Sequence, residues 1–456
     1  MTEPNQSTQN PTGSVGGGSS ELSVRVPDWA AVVEAGGRDA FIERELLRLG
    51  LVDESTEPGK LSDSEKKAFK ARREEERRVR RELDKATWAS YRAAHILHLG
   101  AGVFYSEGID IDRFDLDDPK ARRDANGLPD IANAQALAKL LGISMFRLRQ
   151  LTYHRDVDSG SNYIRWMIPK RSGGLRLISA PKKELKRIQR FVAKEIVEHL
   201  PMHGSSHGFV RGRSTRSNAI KHAKAEVIIK LDLSSFYPTI TFPRVKGLFR
   251  KAGYQEKIAT LLALLVTESP REERHVENRT YYVANGPRSL PQGAPTSPAI
   301  TNTLCLRLDS RLDGLCAKWG LVYTRYADDL TFSAKKGSKV HVGKAIGAVK
   351  RIVSEEGFVV HPAKTRIMRG GRRQKVTGLV VNAAPGAPLA RVPRKLVRRL
   401  RAAITNRERN KPLREGAETI EQLRGYAAYV AMTDPPKGKA FLDRINRLAE
   451  REPTAG

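Results

Sequence analysis

The stretch Tyr326-Ala327-Asp328-Asp329 lies between two apolar, β-prone runs, Leu321-Val322-Tyr323 and Leu330-Thr331-Phe332, and so reads as the tip of a hairpin. Successive side chains of a strand point to opposite faces, so neighbouring carboxylates aim at one place only when a turn reorients the second. A hairpin tip supplies that turn. Joined by a third acid from elsewhere, the pair would hold two divalent cations about 3.5 to 4 Å apart, which clamp the attacking and leaving oxygens in phosphoryl transfer. Taken by itself the tetrapeptide also fits a solvated Asp-Asp turn, and the rest of the chain has to decide.

A third acid is at hand in Asp232, which ends the apolar strand Ile228-Ile229-Lys230-Leu231 and is followed by Leu233-Ser234-Ser235-Phe236-Tyr237. An acid at the end of a buried strand, before a turn of small residues, is placed as a metal ligand at a sheet edge would be. Two strand patterns, Tyr163 to Lys170 and Leu175 to Ile178, flank Ser172-Gly173-Gly174. Lys170, Arg171 and Arg176 around that tip would grip a triphosphate, through guanidinium groups and backbone amides; the same hairpin also fits an ordinary surface turn. The loop Leu290-Pro291-Gln292-Gly293-Ala294-Pro295-Thr296-Ser297-Pro298 precedes a helix expected over Ile300 to Leu312. Its glycine and prolines let the backbone lie against a flat ligand such as a base pair, or simply open the helix.

The 456 residues suffice for two to four structural units. Lys plus Arg outnumber Asp plus Glu by 81 to 51, a net charge of +30, with a pI of 10.2. That excess implies a polyanionic partner, against the blander reading of a basic protein with no particular ligand. No run of 18 apolar residues and no lipidation motif accompanies the charge, which argues against a membrane. Met1 to Glu21 has neither a basic n-region nor an apolar h-region, so no export signal is expected. Cys305 and Cys316 are not in a metal-ligand spacing, which suits a reducing cytoplasm and leaves no cysteine-rich zinc site.

Residues 1–24, poor in apolar side chains, are expected to form a disordered tail. A helical N-terminal extension of unassigned role should fill 25–125: short helices interrupted at Gly36-Gly37, then one long helix over 64–99. In the long helix, Glu65 to Glu82 carries nine basic and five acidic residues, a solvated face or a nucleic-acid contact. Its second half, with Trp88, Tyr91, Ile96, Leu97 and Leu99, is apolar enough to pack. Acidic Asp110 to Asp118 and the turn Asn126-Gly127-Leu128-Pro129 mark a boundary. Residues 131–154 read as two helices broken at Gly142, and Leu185 to Val197 as an amphipathic helix. From Arg391 to Arg414 there are ten basic residues and one acid. There Leu396, Leu400, Ala403 and Ile404 form a packing stripe, and Arg394, Arg398 and Arg401 can follow a phosphate backbone.

In their order along the chain, from about 131 to 445, these segments resemble reverse transcriptases. Asp232 with Tyr326-Ala327-Asp328-Asp329 matches the two acidic polymerase motifs, and Leu290-Pro291-Gln292-Gly293 with Ser297-Pro298 matches the dNTP-positioning motif between them. Within that superfamily the chain resembles a bacterial retron enzyme. Asn218-Ala219-Ile220-Lys221-His222 fits the retron Asn-Ala-x-x-His motif, behind the similar stretch His207 to Ser214. Val376-Thr377-Gly378 fits the second retron motif, and Leu423-Arg424-Gly425-Tyr426 with Asp434-Pro435 resembles the thumb. The departure is at the front, where residues 1 to 125 precede the usual start. Without the resemblance, His207 and His222 read as satisfied structural histidines.

The resemblance implies an α/β (α+β) right hand: fingers and a palm of antiparallel sheet plus helices over 126–385, and a helical, RNA-binding thumb over 386–456. Asp232, Asp328 and the carbonyl of Leu233 would bind the Mg2+ that escorts the triphosphate. Asp328, Asp232 and Asp329 would bind a second Mg2+ that activates the priming hydroxyl. Lys170 and Arg176 would neutralise the phosphates of the dNTP, and Gln292 and Gly293 would floor its pocket. Tyr237 matches the steric gate that selects deoxyribose. Lys364 falls where polymerases carry a proton donor to pyrophosphate, or is a solvated lysine. Asn218, His222, Val376, Thr377 and Gly378 would bind or orient RNA.

A retron enzyme uses its own structured noncoding RNA as template and primer, starts from the 2′-hydroxyl of an internal guanosine and makes a branched RNA-DNA molecule, msDNA. No ribonuclease H domain is evident after the thumb, so a host ribonuclease H would remove template, and an effector protein in antiphage defence is an implied partner. Two alternatives stay open: a reverse transcriptase of the abortive-infection or diversity-generating type, and a catalytically silent RNA-binding scaffold.

Overall fold

The computed structural model describes residues 24–52, 62–105, 117–170, 173–338, 340–382, 388–412 and 416–451. The expected tail up to residue 23, most of the acidic boundary stretch, Arg171, Ser172 and Arg414 lie outside the described residues. The chain forms two compact units, residues 1–97 and 98–456.

In the first unit, α1 (Trp29–Glu34) is capped by the Asp28 side chain, and α2 (Arg38–Arg48) follows Gly36 and Gly37, which take φ of 91° and 111°. Only glycine enters such a turn without strain. The long α3 (Asp63–Ala94) opens in a capping box between Ser62 and Glu65. It ends at Ala94 rather than at 99, because His95 is extended and its ring bonds back to the Tyr91 carbonyl at 2.9 Å. Val79 and Leu83 of α3 pack with Val32, Phe41, Ile42 and Leu46. The charged half of α3 is partly self-paired: Arg78 bridges Glu75 and Glu82, Arg73 reaches Glu76, and Arg80 joins Glu76 to Glu43 of α2. Such ladders are what a solvated helical face carries.

Residues 98–105 and 117–125 were expected to belong to the extension, yet they fold with the second unit. Gly100 bridges to His154, and α4 (Pro119–Ala125) is tied down by Arg123, which donates to the Gly253 carbonyl and to Asp130 at 3.0 Å. Helices α5 (Ala134–Leu141) and α6 (Met145–Thr152) are separated by Gly142 in the left-handed conformation, as expected. After the short β1 (Val157–Asp158) come β2 (Tyr163–Pro169) and β3 (Leu175–Pro181), paired through their whole length from Tyr163↔Pro181 to Pro169↔Leu175. Then follow α7 (Lys183–Glu195), α8 (Thr215–Ile220), β4 (Val227–Asp232), α9 (Phe242–Lys251) and α10 (Glu256–Val266). Strands β5 (Arg271–Val276) and β6 (Arg279–Ala284) form a small sheet in the order β1-β6-β5.

The helix expected over 300–312 is two helices, α11 (Ser297–Leu304) and α12 (Leu306–Lys318), parted at Cys305. The hairpin β7 (Leu321–Tyr326) and β8 (Asp329–Ala334) is followed by α13 (Val342–Glu355), β9 (Arg366–Arg369), and the ribbon β10 (Lys375–Val376) and β11 (Leu379–Val380). The central sheet has the antiparallel order β7-β8-β4-β9. Both of its faces are covered, since Ile228, Ile229, Leu231, Leu330, Phe332 and Tyr323 are all buried. Near-continuous apolar strands of this kind need helices or loops on each side. Three helices, α14 (Arg394–Glu408), α15 (Ile420–Ala431) and α16 (Pro435–Arg451), share one core with Ala219, Ile228, Val376 and Leu379. The expected right hand is thus present as a mixed helix-and-sheet fold. No helix among the described residues is long and apolar enough to cross a membrane.

Candidate active site

In the β7–β8 hairpin Tyr326 pairs with Asp329, leaving Ala327 and Asp328 as a two-residue turn. Ala327 takes φ of 54°, the left-handed conformation that tight hairpin turns require. Alanine is not a favoured residue there, and the fold holds it. Gly208 lies so close that a Cβ on it would be 2.7 Å from the Ala327 nitrogen. Beneath the turn the fully buried Arg325 donates to Asp309 at 2.8 and 2.7 Å, to Asn302 at 3.1 Å, to Ser206 at 3.2 Å and to the Ala327 carbonyl at 3.3 Å.

The structure brings the three expected acids to one end of the sheet. Asp232 is the cross-strand partner of Asp329 in the β4–β8 ladder. Just beyond, the Leu233 N–H donates to the Asp328 carbonyl at 2.9 Å, and the His361 N–H donates to the Asp232 carbonyl at 2.7 Å. Three chain segments are therefore stitched together by backbone where the carboxylates meet. Burial pushes the Asp328 carboxyl up, and the negative charge of Asp232 pushes it further; burial likewise raises Asp329. Basic side chains answer this charge: Lys364 donates to Asp232 at 2.8 Å, and Lys230 donates to Asp329.

Among the described residues no three His, Cys, Asp or Glu side chains form a ready-made metal cage. The donor set nevertheless suits a hard cation. It is all oxygen and crowded enough to raise Asp328, and an ion of the magnesium type usually takes one or two carboxylates plus substrate phosphates instead of a full protein cage.

Around the acids, Arg176 is close enough to act electrostatically on both Asp328 and Tyr237. The Tyr237 hydroxyl is pushed up to about 12, by burial first and then by Asp328. Lys170 and Arg176 are both exposed near the tip of the β2–β3 hairpin, where the Lys170 N–H donates to the Gly174 carbonyl at 2.9 Å. The Gln292-Gly293 loop lies on β3: the Ser179 N–H donates to the Gln292 carbonyl at 2.8 Å, and a Cβ on Gly293 would be 2.9 Å from Ile178. The Ser297 hydroxyl, bonded to the Pro291 carbonyl at 2.8 Å, fixes that loop.

The candidate RNA-binding residues divide. Arg394, Arg398 and Arg401 are exposed on α14, while Leu400 and Ile404 on its other side are buried. Asn218, His222 and Val376 are wholly enclosed. His222 bonds the hydroxyls of Ser333 and Thr324, both at 2.7 Å. Asn218 donates to Thr377 at 3.4 Å, and Thr377 donates to the Thr215 carbonyl at 2.8 Å. Gly378, at φ 91°, passes so near Tyr429 that a Cβ would be 2.8 Å from its hydroxyl. Val376 packs in the core of the C-terminal helices, Gly378 passes against Tyr429 and Thr215 reaches Met432, whereas the bonds of His222 stay within the central sheet. Sequence reasoning missed Arg325, Asp309 and Lys230. Arg325 and Lys230 were visible as charges within apolar strands, which must be paired if buried, whereas Asp309 is hidden among the other charges of Arg307 to Asp313.

A palm-type antiparallel sheet carrying acids at a tight hairpin defines a right-hand polymerase. The family model for reverse transcriptase (RNA-dependent DNA polymerase) matches residues 168–384. The chain is 49% identical over 427 residues to the retron Mx162 reverse transcriptase of Myxococcus xanthus, covering 92% of this chain and 88% of that one. It is 41% identical to the retron Mx65 reverse transcriptase of the same organism, over 72% of this chain and 73% of the relative. Identity to the retron Ec86 reverse transcriptase of Escherichia coli is 31%, over 71% and 92%. The chain belongs to the retron reverse transcriptases and is an RNA-directed DNA polymerase.

Proposed function

We propose that this enzyme reverse-transcribes part of its own structured noncoding RNA, starting from the 2′-hydroxyl of an internal guanosine and yielding branched msDNA. The observation that carries this reading is the likeness to the retron Mx162 reverse transcriptase over nine-tenths of the chain. Asn-Ala-x-x-His at 218–222 and Val-Thr-Gly at 376–378 support it.

Asp232, Asp328, Asp329 and the Leu233 carbonyl would hold two Mg2+ ions, which when bound neutralise the triphosphate and favour ionisation of the priming hydroxyl. The hydroxyl oxygen attacks the α-phosphorus in line, and the bond to pyrophosphate breaks. Positioning therefore supplies most of the catalysis. Arg176 and Lys170 steady the β and γ phosphates, Gln292 and Gly293 support the base, and Tyr237 lies under the sugar to exclude a 2′-hydroxyl. Lys364 gives a proton to departing pyrophosphate, a role its bond to Asp232 at 2.8 Å supports.

Arg394, Arg398 and Arg401 follow the RNA backbone. Asn218, Val376, Thr377 and Gly378 act on RNA through the thumb they help to hold, and His222 through the sheet it braces. The remaining partners are dNTPs, the RNA-DNA product, a host ribonuclease H and an effector protein, acting in cytoplasmic antiphage defence.

Sequencing nucleic acid that co-purifies with the protein tests the whole reading. A guanosine carrying DNA on its 2′-oxygen supports it. DNA grown only from ordinary 3′ ends would point to an abortive-infection or diversity-generating enzyme, and no DNA synthesis with cognate RNA and magnesium would leave a silent scaffold.

A further inference from the structure

Phe209 stands 61% exposed at φ 58°, a left-handed conformation that bulky L residues rarely adopt. A scattered exposed aromatic needs no explanation. One held in a strained backbone does, because such strain persists only where the surroundings impose it. Here the surroundings are the floor of the catalytic hairpin. Preceding it, Gly208 leaves no room for a Cβ against Ala327, and its carbonyl accepts from Asn302 at 2.8 Å. The His207 N–H donates to the Arg325 carbonyl at 2.8 Å, and Arg213 donates to the Gly204 carbonyl at 2.6 Å. The result is a Phe209 ring 6.0 Å from the ring of Tyr326, tilted at 47°.

We propose that Phe209, together with Tyr326, is a stacking platform for the base of the nucleotide that carries the attacking hydroxyl. The inference rests on the reading of Asp232, Asp328 and Asp329 as the reaction centre. Tyr326 is the cross-strand partner of Asp329 and lies two residues from Asp328, so a hydroxyl delivered to those acids brings its own base beside the two rings. Every base has a π-face, so such a platform accepts any primer end without reading its identity. Exposed Arg211, two residues on, offers positive charge to the same strand's phosphates.

The test uses a DNA primer annealed to an RNA template, with the primer's terminal nucleotide either intact or abasic. Phe209→Gly removes the ring and also relaxes the backbone. We expect KM for the intact primer-template to rise about tenfold, with the change in KM rather than kcat. The preference for an intact over an abasic end should collapse, the unfolding temperature should not fall, and Phe209→Trp should restore both KM and the preference. An unchanged KM, a preserved preference for the intact end or a lower unfolding temperature in Phe209→Gly would each overturn the proposal. Asp328→Asn, run alongside, separates the two ideas: if it still extends primers, the reading of the centre fails; if it is inactive yet still binds intact ends better than abasic ones, the platform stands.

Discussion

Arg325 donates two hydrogen bonds, at 2.8 and 2.7 Å, to the carboxylate of Asp309, and neither side chain reaches solvent. The same guanidinium bonds the Ala327 carbonyl within the Ala327-Asp328 turn. Removing one member leaves the other as an uncompensated buried charge, which costs about 3 to 5 kcal/mol. Asp309→Ala should therefore lower the urea midpoint sharply and abolish DNA synthesis. The apolar pair Arg325→Met with Asp309→Leu should regain much of the stability without regaining activity, because the link to Ala327 stays lost. Denaturation curves and primer extension on the same preparations check both halves.

Replacing Asp328 by Asn should reduce DNA synthesis at least about a hundredfold, by the scale of other preorganised electrostatic sites. Its effect on stability should have the opposite sign. Burial and Asp232 both disfavour the charged carboxylate, so an uncharged amide relieves the folded state. In EDTA the variant should unfold no earlier than the parent. A large drop in unfolding temperature would show that Asp328 is mainly structural.

His222 is kept neutral by burial, which lowers its pKa to about 3. The unfolded chain takes up a proton there near pH 6.5, and the native state does not. Stability contributed by this group is thus complete above about pH 6.5 and is lost as pH falls from there toward 3, at about 1.4 kcal/mol per pH unit. Urea midpoints between pH 7.5 and 5 should show the slope, and His222→Gln should flatten it. An identical slope in the variant would assign the acid sensitivity to other groups.

Tyr237→Ala should raise the use of ribonucleotides relative to deoxyribonucleotides by about 10- to 200-fold, the range for removing one steric contact from a pocket. The ratio of kcat/KM for the two nucleotide classes measures it. Unchanged discrimination would place the gate elsewhere.

Changing Arg394, Arg398 and Arg401 together to Gln should weaken RNA binding for any sequence. The slope of log K against log salt should fall by about 2 to 3, one phosphate contact for each arginine. Because α14 buries Leu400 and Ile404 on its other side, the unfolding temperature should hold. An unaltered salt slope would mean that this face meets something other than RNA.

Much of the fold was legible because the informative segments are short and strongly patterned. The hairpin around Ala327-Asp328, the strand ending at Asp232 and the Gly142 break each announce themselves by alternation or by a turn residue. Less legible were features decided by packing at a distance. The long helix stops at Ala94, where His95 turns extended and its ring meets Trp29 edge-on at 5.3 Å, and residues 98–105 and 117–125 join the second unit through contacts such as Arg123 to Gly253. No local propensity encodes either. In the same way, Asn-Ala-x-x-His reads as a motif in sequence, yet only the folded chain shows that Asn218 and His222 face inward. Arg325 and Asp309 lie 16 residues apart, and their pairing depends on how α12 lies against β7.

The chain Asn218–Thr377–Thr215, with the tight pass of Gly378 beneath Tyr429, fastens two motifs far apart in sequence to the three C-terminal helices. Chimeras between related enzymes will feel that joint. A graft of 386–456 alone would set foreign residues against Gly378 and Thr215, which meet Tyr429 and Met432, whereas exchanging 215–222, 375–380 and the C-terminal helices as one cassette moves matched surfaces together. Template choice and catalytic competence should then travel separately: the cassette carries the first, and the host sheet with Asp232, Asp328 and Asp329 keeps the second.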